Sequence, residues 1–65
     1  MTLDHIDRAI LQYMFRAQDW VNTNEVSRAV QISWLTADRH LEMLCKLGYV
    51  QPGHGGRTRY WRINR

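Results

Sequence analysis

Four arginines, Arg57, Arg59, Arg62 and Arg65, fall within the last nine residues with no acid among them. Eight of the nine basic residues are arginine, whose planar fork can take two phosphate oxygens, or the O6 and N7 of a guanine edge, at once. The charge is unevenly spread. Residues 1–33 hold three bases against four acids, whereas residues 34–65 hold six against two, so the second half carries +4 of a net +3. That asymmetry suits a polyanionic partner, although a solvated basic surface would give the same bias.

Other chemistry is poorly supplied. His5, His40 and His54 have no repeated metal-ligand spacing with Cys45 or a carboxylate, and no glycine-rich phosphate loop follows a strand. The expectation is a protein that is not an enzyme, with no metal and no cofactor. Cys45 is single, so an internal disulfide is excluded and a reducing compartment is favoured. Acids stand near the N-terminus where a secretory signal has bases and an apolar run, and no stretch approaches a membrane span of about 18 apolar residues. These features point to a cytoplasmic protein without a membrane partner. At 65 residues, 45% hydrophobic with seven aromatics, the chain reads as one domain, residues 1–65, close to the lower limit for a self-sufficient core.

The positioning elements follow from periodicity and caps. Leu3, Ile6, Ala9, Ile10, Tyr13, Met14 and Ala17 recur at helical spacing, predicting a first helix over residues 4–17 capped by Thr2 or Asp4, with Asp4 and Asp7 in its first turn. Leu11 and Phe15 lie on a second row turned away from that face. Trp20 and Val21 read as a short extended segment. Asn22 with Glu25 has capping-box spacing, opening a second helix whose apolar face is Val26, Ala29 and Val30. After the turn at Gln31 and Ile32, Ser33 caps a third helix over residues 34–47. Ala37, Leu41 and Leu44 form its seam, His40 and Cys45 its margins, and Gly48 its end. Tyr49-Val50-Gln51 and Thr58 to Ile63 are strand-like, the second with Trp61 and Ile63 on one face and Tyr60 and Arg62 on the other. Residues 52–57, Pro-Gly-His-Gly-Gly-Arg, read as the intervening loop.

The order helix, short strand, helix, helix, hairpin resembles the winged helix-turn-helix DNA-binding superfamily, an α+β fold of three helices with a short first strand and a C-terminal β-hairpin wing. Positions match as well as topology. Asn22-Thr23-Asn24-Glu25-Val26-Ser27 is similar to the entry of the second helix, and Ser33, Thr36, Ala37, Leu41, Leu44, Gly48 and Val50 follow the family spacing of the third helix and its exit. Arg57, Arg59 and Tyr60-Trp61-Arg62-Ile63 resemble the returning strand of the wing. The likeness runs from Leu3 to Ile63 and is to MarR, ArsR and IclR regulators, with the pilus phase-variation regulators similar in length and in the Tyr-Trp pair. Large apolar and acidic groups at Trp34, Leu35, Asp38 and Glu42 depart from the usual polar or basic choice.

The resemblance implies a sequence-specific double-stranded DNA-binding transcriptional regulator, a repressor by default, with the third helix in the major groove and the wing on the backbone or minor groove. The expected contact set is Ser33, Trp34, Leu35, Thr36, Asp38, Arg39, His40, Arg57 and Arg59. Measured from the seam, Leu35, Asp38, Arg39, Glu42 and Lys46 are expected to point outward, Arg39 taking a guanine or else pairing with Glu42. Leu11 and Phe15 are expected to pair two copies as a homodimer. The rival reading is a protein-protein interaction module in a nucleic-acid-processing assembly, anchored by Trp34 and Leu35.

Overall fold

Each helix starts where a side-chain oxygen takes up an amide that the helix itself leaves unpaired. The computed structural model describes residues 3–64. It contains, in order, α1 (His5–Ala17), β1 (Val21–Asn22), α2 (Thr23–Val30), α3 (Trp34–Lys46), β2 (Val50–Gly55) and β3 (Thr58–Ile63). Asp4 caps α1 in a reciprocal capping box, its Oδ1 accepting from the Asp7 amide at 2.9 Å while Asp7 Oδ2 accepts from the Asp4 amide at 3.2 Å. The Asp7 amide is the main reason that the Asp4 carboxyl is held below its ordinary value. Thr2, the other expected cap, lies outside the described residues.

Asn22 caps α2 by accepting from the Glu25 amide at 2.7 Å, but only this half of the expected box forms. The Glu25 carboxylate instead accepts from the Tyr13 hydroxyl at 2.8 Å, tying α2 to α1 and raising the phenol above its usual range. Ser33 caps α3 through the Thr36 amide at 3.1 Å. The exit of α3 is a Schellman motif: the Tyr49 amide reaches the Leu44 carbonyl at 2.9 Å, the Gly48 amide reaches Cys45 at 3.0 Å, and Gly48 has φ +88°.

The sheet is antiparallel in the order β1-β3-β2, so the last strand of the chain lies between the other two. Val21 pairs with Trp61, and Val50 with Ile63. The hairpin differs from the sequence expectation. Its strand β2 continues through Pro52, Gly53 and His54 to Gly55, leaving Gly56-Arg57 as a two-residue turn with φ +63° at Gly56. Pro52 is tolerated because β2 is an edge strand. Most of the predicted loop is therefore part of a two-stranded projection.

The core consists of Ile10, Met14, Val21, Val26, Ala37, Leu41, Leu44, Val50 and Trp61, with Leu3, Ile6, Tyr13, Val30 and Ile63 packed around it. Three face assignments change. Ala17 and Ala29 are exposed, because α1 and α2 turn those positions past the edge of the core, and Thr23 and Ser27 are buried beside Val26 instead. Leu11 packs against the core, so Phe15, at 60% exposure, is the member of that row that stands clear of it. No helix among the described residues is long and apolar enough to cross a membrane.

A Cβ at Gly48 would meet nothing within 4 Å, so its cost is confined to the backbone. Gly48→Ala is expected to lower stability by about 1 kcal/mol in urea unfolding, with Gly48→Asn costing less. Equal stabilities for the wild type and the Gly48→Ala variant would show that the exit of α3 does not depend on this conformation.

Candidate nucleic-acid interface

Alternation along β3 decides which arginines are free. Trp61 points into the core, so Arg59, two residues earlier, points to the same side and meets α3. Its Nη1 donates to both carboxylate oxygens of Asp38, at 2.9 and 2.7 Å, and its Nη2 lies 3.0 Å from Glu42 Oε1. The guanidinium carbon also sits 4.7 Å from the Trp61 ring centroid. Asp38 is only 8% exposed and is in turn approached by the Thr23 hydroxyl at 3.5 Å, while Trp61 Nε1 donates to Thr23 Oγ1 at 2.9 Å. One chain of polar contacts thus joins α2, α3 and the wing above the apolar core.

This arrangement corrects the expected outward placement of Asp38 and gives Arg59 and His40 partners within the domain. Asp38 does not point outward, because it lies one position from the buried Ala37 and three from Leu41, where the flank of α3 meets β3. Arg59 is engaged inside the domain by two acids and an aromatic ring. His40 is half-buried with its Nδ1 2.6 Å from Asp7 Oδ1, bracing α3 against α1. Asp4, Asp7 and His40 bring three potential metal donors within 4.8 Å of one another, a grouping that linear spacing did not suggest. Its contacts are the α1 capping box and the Asp7–His40 hydrogen bond.

The remaining expected residues form a different set. Trp34 and Leu35 are 47% and 53% exposed at the start of α3, and Arg39 is exposed one turn further on. Arg39 enters none of the ion pairs among the described residues; Glu42, its expected partner, is taken by Arg59. Ser33 is exposed and gives its hydroxyl hydrogen to Thr36 Oγ1 at 2.8 Å, which leaves the Thr36 hydroxyl as the outward donor of the pair. Arg57 is exposed in the wing turn. A cleft of about 380 Å³ is lined by Trp34 from α3, Asn24 from α2 and Arg57, Thr58 and Arg59 from the wing. The start of α3 and the cationic end of the hairpin therefore border one concave surface.

The signal that could have located the Asp38–Arg59 pair was present in the sequence. The alternation that buries Trp61 fixes the side on which Arg59 must lie, and Asp38 and Glu42 stand four apart on α3, one turn of a helix.

The family described as winged helix-turn-helix DNA-binding matches residues 3–51. Among solved structures, a possible transcriptional regulator from Methanosarcina mazei Go1 superposes with a TM-score of 0.87 at 16% identity, over 97% of this chain and 57% of that one. Reduced HlyU from Vibrio cholerae N16961 gives 0.83 at 18% identity, over 95% and 63%. The homodimeric winged helix-turn-helix DNA-binding domain of a possible ArsR-family regulator from Mycobacterium bovis gives 0.83 at 24% identity, over 95% and 56%. At these identities the likeness is one of fold, and this chain spans less than two thirds of each. No curated protein matches it by sequence.

A double-mutant cycle tests the polar link. Arg59→Ala alone strands a buried carboxylate, and Asp38→Ala alone leaves a partly exposed arginine with Glu42, so the first should be the more destabilising. The coupling energy from urea unfolding is expected on the order of 2 kcal/mol. Additive effects would show that the pair is incidental to the fold.

Proposed function

The chain belongs to the winged helix-turn-helix DNA-binding family, and from that premise we propose that it is a sequence-specific double-stranded DNA-binding regulator of transcription. The observation that carries this reading is the cleft bordered by the start of α3 and the wing. A helix presenting Trp34, Leu35 and Arg39 outward from its first two turns beside a cationic projection suits a duplex, with α3 in the major groove and the projection on the flanking backbone or minor groove.

In this reading Arg39 takes a guanine edge, since its fork is exposed and outside any internal ion pair among the described residues. Leu35 meets a thymine methyl. Thr36 donates to a phosphate with Ser33 behind it, and Arg57 neutralises a phosphate from the wing. Asp38, Arg59 and His40 leave the contact set and become the groups that hold α3 and the wing in place. Trp34 closes the junction between the two.

The exposure of Trp34 and Leu35 also favours a second reading, a protein-docking module in a nucleic-acid-processing assembly. Salt separates the two. DNA binding through several phosphates weakens steeply as salt rises, while an apolar protein contact is nearly indifferent. Loss of all duplex binding at low salt, measured by fluorescence anisotropy on a random-sequence pool, would leave the docking reading.

Within the DNA reading, Arg39→Ala is expected to cost about 1–3 kcal/mol on the preferred sequence and little elsewhere. Arg57→Ala should weaken all duplexes alike and reduce the salt slope by about one. Uniform loss from Arg39→Ala would reassign that residue to the backbone.

We further propose that two copies pair through Phe15, the apolar side chain of α1 that the core leaves exposed. The homodimeric state of the Mycobacterium bovis domain of the same fold supports it. Two-fold pairing would set two recognition helices about 34 Å apart on a pseudo-palindrome. Sedimentation should give a dimer for the wild type and a monomer for Phe15→Glu; identical masses would remove Phe15 from any interface.

A further inference from the structure

The hairpin has a second face, turned away from α3, whose residues the DNA reading does not use. On it Trp20, Tyr60 and Arg62 lie together, because Tyr60 and Arg62 alternate outward from Trp61 and Trp20 directly precedes β1. Two glycines on the facing strand make room for the rings. A Cβ at Gly53 would come within 2.6 Å of the Trp20 ring, and one at Gly55 within 2.8 Å of the Tyr60 ring. Each ring thus leans across a different glycine, and the cleft of about 330 Å³ between them is lined by Trp20, Gly53, His54 and Tyr60.

The Arg62 guanidinium lies 4.8 Å from the Trp20 ring centroid. It lines the neighbouring cleft, with Asp19 and Gln51, and not the one between the rings. The indole is therefore contacted by a cation and also borders the cleft that it shares with Tyr60. We propose that this aromatic cleft is a stacking site for an unpaired base of single-stranded nucleic acid.

The chemistry of the cleft selects that occupant. A quaternary or protonated amine, the usual guest of aromatic cages, would meet an indole already polarised by Arg62 and would find no carboxylate lining the cleft. A neutral planar ring gains from stacking on both aromatics. Its strand brings phosphates to a face that carries Arg62, which is the combination of stacking platform and cation that single strands require. A proline-rich peptide could also stack but would leave that charge unused. The site is separate from α3, so a strand here and a duplex on the other face can be bound by independent residues.

Anisotropy at low salt with labelled oligothymidylate of about twelve nucleotides and with a blunt duplex carrying the preferred sequence, selected from a random pool, tests the proposal. Trp20→Leu is expected to weaken the oligothymidylate about 10-fold, within the range for loss of one stacked base, and to leave the duplex unchanged. Arg39→Ala should do the reverse, so failure of this site and failure of the α3 reading are distinguishable. A readout on the unmodified protein guards against misfolding of the variant: of the indole N–H signals in the NMR spectrum, the one lost in Trp20→Phe should move on adding oligothymidylate. The proposal is overturned if wild type does not bind the oligomer, if Trp20→Leu binds it equally well, or if a proline-rich peptide moves that signal and the oligomer does not.

Discussion

A carboxylate buried at the junction of two elements has to be met by a cation, and in this chain the requirement fixes the geometry of the whole surface. Asp38 sits on the flank of α3 with little access to water, and Arg59 from β3 supplies both the charge and the hydrogen bonds. Thr23 and Trp61 extend the contact into α2 and the core. Strand β2 already follows α3 through the Gly48 turn and buries Val50 beside it, and this polar link ties the central strand β3 to the same helix. Apolar packing tolerates sliding, whereas a guanidinium shared between two carboxylates and a ring does not.

The link also changes how the basic C-terminal end should be read. Among the described residues, its arginines do not make one cationic patch. Arg59 is engaged internally by Asp38 and Glu42, Arg62 lies over Trp20 on the opposite side of the sheet, and Arg57 stands at the tip. With β3 central in the sheet, its odd and even residues face opposite partners, so an apparently uniform run of charge is divided between two surfaces. Among the described residues, the free cations beside the cleft at the start of α3 are then few, which places more of any specificity on the exposed helix residues Leu35, Thr36 and Arg39.

Much of the fold was legible because local signals and tertiary packing agree here. Asp4, Asn22 and Ser33 each cap the helix their sequence position announces, Gly48 closes α3, and the seam of Ala37, Leu41 and Leu44 is buried. Two things were not legible from local pattern. Pro52, Gly53 and Gly55 read as loop residues, yet on an edge strand with aromatic rings laid over the glycines they continue β2 to the turn. Asp38 reads as a surface residue because helical periodicity judges each element by its own apolar stripe and does not include what the wing brings to the flank. His40 lies at the margin of the α3 seam as expected, but its partner was not legible, since Asp7 is 33 residues away in the chain.

A hairpin ending in glycine and arginine would ordinarily be the most mobile part of so small a domain, and mobility at a binding element is lost on association as an entropic cost. Here the central strand carries Trp61, the largest fully buried side chain among the described residues, and Arg59 on the same face two residues nearer the tip. Both anchors lie within four residues of Arg57. The projection is therefore tied down through β3 close to the Gly56-Arg57 turn. That anchoring lets one short hairpin present an arginine beside α3 on one face and an aromatic cleft on the other.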